Sequence, residues 1–172
     1  LLLWLAKLVD GAVVAGGEMI REEIRDAGFS FPTAKCYQVT RTDDFTKCSA
    51  DVSAKRVLAM GIRPRFRKGS DIVVGLAKRM PDVDFFLLGN KSILPKEFLA
   101  QAEKVKNLHF EGFLPPSTYI PTFMATSSVF LLPGSYDAGP VALVEAMQAG
   151  LIPVISDKNG CGELVEEIDK SL

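Results

Sequence analysis

The sequence predicts an α/β fold with a doubly wound parallel sheet, and the prediction rests on residues 56–165. Short, continuous apolar runs alternate there with stretches of helical period. Such alternation is typical of parallel strands that are covered by helices on both faces. The composition agrees, because 48% hydrophobic and 24% charged residues in a chain of 172 are those of a globular domain that can bury a core.

The elements are predicted in order along the chain. We expect strands at 56–60, 83–88, 108–110, 129–132 and 152–155. Helices are expected near 71–79, 96–105, 117–124 and 163–167. A further helix is expected to begin at Pro140 and to end just before Gly150, because proline suits the first helical position and glycine the residue past the last.

Ligand-binding residues are expected at one edge of this sheet. Right-handed crossovers place every strand-to-helix loop at the carboxyl ends of the strands, and open α/β sheets bind their ligands there. The candidate loops are 61–70, 89–95, 111–117, 133–140 and 156–162. The glycines and polar residues of the second and fifth loops are weaker signals, because they are also common in plain turns.

Residues 1–40 are predicted to form a separate piece, with a helix at 1–9, a strand at 12–15, a helix at 18–25 and a strand at 35–39. The polar residues 41–54 resemble a linker to the main domain, which spans 55–172. The apolar start is too short for a membrane span, and Lys7 follows it rather than preceding it as in a signal peptide. We expect the chain to be a segment of a longer protein.

Charge and cysteine content exclude several classes of protein. A net charge of −1 gives no general attraction to nucleic acid. The three cysteines have no C-x-x-C spacing and there is one histidine, so neither a metal site nor a disulfide framework is predicted. Reduced thiols of this kind favour a cytoplasmic protein. We expect His109 to be a packed strand residue.

The loop after the first strand of the main domain concentrates positive charge. Four cations, Arg63, Arg65, Arg67 and Lys68, lie within six residues just before a predicted helix. Arginine offers bidentate phosphate contacts, lysine adds a point charge, and a helix start favours anions. The loop is therefore a candidate diphosphate site. A solvated basic loop is the alternative.

The fourth loop carries two acidic residues near a helix start. Gly139 lets the backbone approach a ligand closely. Glu145 lies inside an otherwise apolar helix, where a carboxylate is costly without partners such as ribose hydroxyls. Asp137 lies eight positions before it. The alternative is that Asp137 caps the helix and Glu145 lies on its polar face.

In order, these segments resemble a known family. The sequence contains Lys68-Gly69, Leu108-His109-Phe110-Glu111-Gly112-Phe113, the stretch Glu-Ala-Met-Gln-Ala-Gly-Leu-Ile-Pro-Val-Ile at 145–155, and Gly-Cys-Gly-Glu-Leu-Val at 160–165. Over about 110 residues this is similar to the carboxyl-terminal, donor-binding domain of retaining glycosyltransferases of group 1 (family 4). The resemblance implies a Rossmann-like domain that forms one lobe of a GT-B fold, with residues 1–40 as the end of the acceptor lobe.

The resemblance also implies roles for individual residues. Arg63 and Lys68 would hold the donor diphosphate, Glu145 the ribose, and Asp137, which stands where most members have glutamate, the donor sugar. These four are the expected catalytic set. The further donor-binding residues expected are Gly61, Phe113, Leu114, Ala138, Gly139, Val141 and Ala142.

The implied reaction is transfer of a sugar from a nucleoside diphosphate sugar to a sugar or glycolipid acceptor, with retention and without a metal or other cofactor. Many relatives build cell-surface polysaccharides at the cytoplasmic face of the membrane, which implies peripheral membrane contact. Two alternatives remain open: a GT-B sugar-nucleotide epimerase, and a non-catalytic scaffold that has lost donor binding.

Overall fold

The computed structural model describes residues 13–37, 45 and 48–168, which form two parallel sheets. In the smaller sheet, β1 (Val13–Ala15) pairs with β2 (Thr33–Lys35), and α1 (Glu18–Asp26) connects them. The larger sheet contains β3 (Arg56–Met60), β4 (Asp84–Leu88), β5 (Leu108–Glu111), β6 (Val129–Leu132) and β7 (Ile152–Ile155). The predicted α/β fold is confirmed.

A helix follows each strand of the larger sheet, and the first four of these helices connect successive strands. The helices are α2 (Ser70–Arg79), α3 (Lys96–Ala102), α4 (Pro116–Tyr119), α5 (Val141–Gln148) and α6 (Gly162–Ile168). Short 3₁₀ turns at Pro64–Phe66 and Lys91–Ile93 precede α2 and α3. Helical crossovers of this kind are the usual connection between parallel strands.

The strand order of the larger sheet is β5-β4-β3-β6-β7, and all its pairs are parallel. The chain runs outward from β3 to β5 on one side and from β6 to β7 on the other. The direction therefore reverses between β3 and β6. In open α/β sheets, a crevice forms at the carboxyl ends of the two strands where the order reverses.

Both faces of the sheet are packed. On β3, Leu58 belongs to a buried cluster with Phe130 and Leu143 of α5. Its neighbours on β3 point to the opposite face, where a second cluster includes Phe85 of β4 and Val73 of α2. Because successive residues of a strand alternate between faces, the continuous apolar runs supply both cores at once.

Besides shifts of one residue at several ends, three features of these elements differ from the prediction. The helix expected at 96–105 ends at Ala102, because the chain turns there and the Val105 amide donates to the Ala102 carbonyl (3.0 Å). The strand expected at 35–39 runs instead from Thr33 to Lys35, in register with β1. Pro140 caps α5 rather than opening it.

The predicted helix at 117–124 is α-helical only over α4 and continues as a π-helix, Ile120–Met124. Pro121 has no amide hydrogen, and its ring would collide with a carbonyl one turn earlier in an α-helix. A wider turn removes this conflict, and the Ala125 amide donates to the Ile120 carbonyl at 3.0 Å. The helix predicted at 1–9 and most of the predicted linker's first half lie outside the described residues.

Candidate functional site

A cleft of about 640 Å³ opens at the carboxyl edge of the sheet, at the reversal between β3 and β6. Four of the five predicted loops contribute to its lining: those after β3, β4, β5 and β6. The fifth predicted loop, 156–162, does not contribute to this lining. It pairs instead with the outer side of the β6–α5 loop, through the bridge between Asp137 and Asn159.

The β3–α2 loop is shaped by two glycines in the left-handed region. Gly61 (φ 88°) turns the chain out of β3, and its amide donates to the Leu88 carbonyl at 2.8 Å. Ile62 is fully buried, and it leaves Arg63 exposed at the cleft. Gly69 (φ 74°) begins α2 so close to Pro133 that a Cβ would lie 2.7 Å from the proline ring. The loops after β3 and β6 are therefore in backbone contact.

An ion pair joins these two loops inside the cleft. The Lys68 ammonium is in direct contact with the Asp137 carboxylate, and both side chains are mostly buried. Burial, together with nearby Arg63 and Arg67, lowers the pKa of Lys68 to about 8. The contact with Asp137 opposes this effect, because an adjacent carboxylate favours the charged ammonium. Lys68 thus lies in a desolvated, cationic environment with one anionic partner.

The three arginines of this loop differ from Lys68. Arg63, Arg65 and Arg67 are exposed, and among them only Arg63 lines the cleft. Arg67 stacks over the Tyr136 ring with its guanidinium carbon 5.0 Å from the ring centre. Arg65 is therefore a solvated surface cation, as the alternative interpretation of this loop predicts, whereas Lys68 is mostly buried in the cleft.

Glu145 faces the cleft from α5. It is half-buried, and the Tyr119 hydroxyl donates to its carboxylate at 3.0 Å. Burial raises the pKa of Glu145, and the hydrogen bond from Tyr119 partly offsets the rise. Pro140, not Asp137, caps α5. The alternative of a capping Asp137 and a Glu145 on the polar helix face is therefore wrong for this structure.

Most of the other predicted residues also line the cleft: Gly61, Phe113, Leu114, Gly139, Val141 and Ala142. Phe113 is 91% exposed at the rim, which is unusual for so large an apolar side chain. Ala138 is the exception, because it lies outside the lining and its carbonyl packs against Gly16 and Gly160. Their roles in binding remain predictions.

The sequence did not single out Tyr119, and Asn90 was predicted only as part of the weakly indicated loop 89–95. Both line the cleft, and Tyr119 is the hydrogen-bond donor to Glu145. Tyr119 lies just after the predicted loop 111–117, and this closeness to the carboxyl edge could have identified it as a residue of the site. His109 is a packed strand residue as predicted: it stacks on Phe86 and contacts Asp84 at 3.0 Å.

Two further observations, on metal sites and on membrane-spanning helices, apply to the part of the chain that the structure describes. Within residues 13–37, 45 and 48–168, no three histidine, cysteine or acidic side chains form a group that could hold a metal ion. In the same part of the chain, no helix is long and apolar enough to cross a membrane.

Comparisons with known proteins agree with this geometry. The family described as "Glycosyl transferases group 1" matches residues 46–170. A search of curated protein sequences found no significant match. Among solved structures, the chain is similar to HepE of Anabaena, in complex with UDP and glucose (TM-score 0.71, 21% identity, 90% of this chain and 47% of HepE). It is also similar to TarM (0.74, 18%, 96% and 33%) and to a glycosyltransferase from Rickettsia africae (0.71, 15%, 95% and 53%).

The structural similarities and the family match support different conclusions. At such low identities the solved structures establish the fold, which is that of one lobe of GT-B glycosyltransferases. The chain spans about half the length of HepE and of the Rickettsia protein, and a third of TarM. The family match covers well over half of the chain. This protein therefore belongs to the group 1 glycosyl transferase family.

Proposed function

We propose that the chain is the donor-binding domain of a retaining glycosyltransferase. It binds a nucleoside diphosphate sugar, and an acceptor sugar or glycolipid is held by the opposite lobe of the full-length enzyme. One observation carries the proposal: two cations, Arg63 and Lys68, and two acids, Asp137 and Glu145, line one cleft at the reversal of the sheet. Cations suit a diphosphate, and acids suit sugar hydroxyls.

The diphosphate is the leaving group, so it gains negative charge as the glycosidic bond breaks. Lys68 and Arg63 stabilise that charge from the β3–α2 loop. The first amides of α5, at Val141 and Ala142, add hydrogen-bond donors from a helix start. Donors that are already in place before the reaction lower the barrier without reorganisation.

The acids are proposed to hold the two sugar rings of the donor. Glu145 accepts from the ribose hydroxyls, and Tyr119 orients its carboxylate. Asp137 accepts from the hydroxyls of the transferred sugar once Lys68 turns to the diphosphate. Phe113 and Leu114 lie at the end of the cleft beside β5 and border the base.

The nucleotide panel that tests the proposal should contain UDP, GDP and ADP with their glucose conjugates, because UDP and glucose are the ligands of HepE. The first measurement is a thermal shift, followed by calorimetry with the nucleotide that binds best. We expect binding that weakens as salt increases, since Arg63 is exposed and its attraction is screened.

The decisive variant is Arg63→Ala with Lys68→Ala. Each charge-assisted hydrogen bond contributes about 1.5–3 kcal/mol, so we expect a loss of affinity of at least about 100-fold. Arg65→Ala with Lys78→Ala is the matched control, since it removes the same charge from exposed positions away from the cleft. Equal affinity in the wild type and the Arg63/Lys68 variant would contradict the diphosphate site.

Two outcomes distinguish the other functions. A non-catalytic scaffold would show no nucleotide binding and no protection of amides 138–142 from hydrogen exchange. An epimerase would convert the sugar of the donor in the full-length protein without an acceptor, whereas a transferase requires the acceptor.

A further inference from the structure

The β1–α1–β2 unit contacts the outer side of the candidate site, and Glu163 is the centre of this contact. Glu163 lies in the first turn of α6. Its carboxylate accepts from the Tyr37 hydroxyl (2.6 Å), from the Lys35 ammonium (3.1 Å) and from the Glu18 amide at the start of α1 (3.0 Å). Burial would raise the pKa of Glu163, but these hydrogen bonds together lower it.

The backbones of the two parts are also in direct contact. A Cβ on Gly17 would lie 1.7 Å from the Gly160 carbonyl oxygen, and one on Gly16 would lie 2.6 Å from the Ala138 oxygen. Gly17 has φ −158°, an extended conformation that any residue can adopt. The closeness of the neighbouring chain, and not backbone conformation, therefore requires glycine at position 17.

The segment held in this way supports the residue that faces the cleft. The Asp137 amide donates to the Lys158 carbonyl (3.0 Å), and the Gly160 amide donates to the Asp137 carbonyl (2.7 Å). A third contact joins the same loop to α1, where the Tyr136 hydroxyl donates to Glu23 at 3.0 Å. The Asp137 backbone is thus hydrogen-bonded to the 156–162 loop, which packs against Gly17 through Gly160, while its neighbours Tyr136 and Ala138 contact the β1–α1–β2 unit directly.

We propose that the β1–α1–β2 unit positions the 136–139 loop for the donor sugar, and that Glu163 and Gly17 are positioning residues that set sugar affinity without touching the donor. Neither residue lines the cleft. The inference rests on the proposed function, in which Asp137 contacts the sugar. The diphosphate is held mainly by the β3–α2 loop, so loosening the unit should affect the sugar more than the nucleotide.

The test compares two ligands on each variant. Calorimetry with UDP and UDP-glucose, or with the corresponding pair that the nucleotide panel selects, measures the sugar's contribution as the ratio of the two dissociation constants. We expect Glu163→Gln, which keeps an acceptor oxygen but loses the charge, to weaken UDP-glucose about 5-fold and UDP less than about 2-fold. Glu166→Gln on the exposed side of α6 is the control and should change neither.

Gly17→Ala is the stronger variant, because its methyl group forces the unit away from Gly160. We expect a loss for UDP-glucose of about 10-fold or more, and faster hydrogen exchange of amides 137–139. Gly75→Ala, where a Cβ meets nothing within 4 Å, is its control.

The possible outcomes distinguish the positioning role from the proposed function. Equal weakening of both ligands, or no change in either, would overturn the positioning role but not the proposed function, because the wild type would still bind the nucleotide. If the wild type binds no nucleotide of the panel, the proposed function fails and this inference fails with it.

Discussion

The contact between Lys68 and Asp137 leads to a counterintuitive prediction: removing an acid from the site should strengthen binding of the bare nucleotide. Without ligand, the Lys68 ammonium is neutralised by the Asp137 carboxylate. A diphosphate that uses Lys68 must compete with this internal anion. In Asp137→Asn the competitor is lost, so UDP or its equivalent should bind more tightly.

The magnitude follows from the burial of the pair. Two unit charges about 4 Å apart interact by about 4 kcal/mol at an effective dielectric constant of about 20, whereas exposed pairs contribute about 0.2–1 kcal/mol. The side chains of Lys68 and Asp137 are 19% and 14% exposed, in a cleft open to solvent, so an intermediate value applies. We take about 1–2 kcal/mol, which corresponds to about a 5- to 30-fold gain in affinity.

In Asp137→Asn, the nucleotide sugar should lose affinity relative to the bare nucleotide. In the proposed complex, Asp137 accepts hydrogen bonds from the sugar, and a charged acceptor contributes about 1.5–3 kcal/mol. Asparagine loses much of that contribution. The gain at the diphosphate is therefore cancelled or exceeded, and the preference for the nucleotide sugar over the nucleotide should fall by at least about 10-fold.

The assay is calorimetry with both ligands at pH 6.5, which is below the pKa of about 8 that burial, Arg63 and Arg67 give to Lys68. Asp157→Asn is the control, since it removes the same charge from an exposed residue after β7. If Asp137→Asn binds UDP no better than the wild type while the nucleotide still binds, the competition between Asp137 and the diphosphate does not exist. Weaker binding of both ligands would refute it equally.

Two further predictions follow from the same loops. Because the pKa of Lys68 in the free protein is about 8 and a bound diphosphate raises it, nucleotide affinity should be constant from pH 7 to 7.5 and fall above pH 8. Calorimetry should show this fall in the wild type and not in Lys68→Arg. Gly69→Ala should lower the free energy of unfolding by about 2–5 kcal/mol, from its left-handed φ and the clash with Pro133. Denaturant unfolding that matches Gly75→Ala would contradict this.

The fold and many residues of the candidate site could be predicted from the amino-acid pattern alone. Parallel strands buried on both faces need continuous apolar runs, and such runs are visible without knowing their neighbours. All five strands of the larger sheet lie where those runs predicted them. Parallel strands have their carboxyl ends at the same edge of the sheet, so the segments that contain Arg63, Lys68, Asp137 and Glu145 were expected to meet there. These four residues do line one cleft.

The type and the end of a helix were harder to predict from the sequence where two local effects compete. The apolar pattern continues through Pro121, but whether the chain breaks or widens into a π-helix depends on how Phe123 and Met124 pack into the core. The end of α3 at Ala102 is set by the turn into β5, for which helical period carries no information.

The pairing of side chains from distant parts of the chain could not be predicted and became visible in the folded protein. The partners of Glu163 lie 126 to 145 residues away in sequence, and Lys68 lies 69 residues from Asp137. Periodicity and spacing report on a residue's own element, so neither can identify a partner that chain folding brings from elsewhere. The same reason explains Ala138: the loop's sequence suggested a ligand contact, and the position of the β1–α1–β2 unit turned that carbonyl toward Gly16 and Gly160 instead.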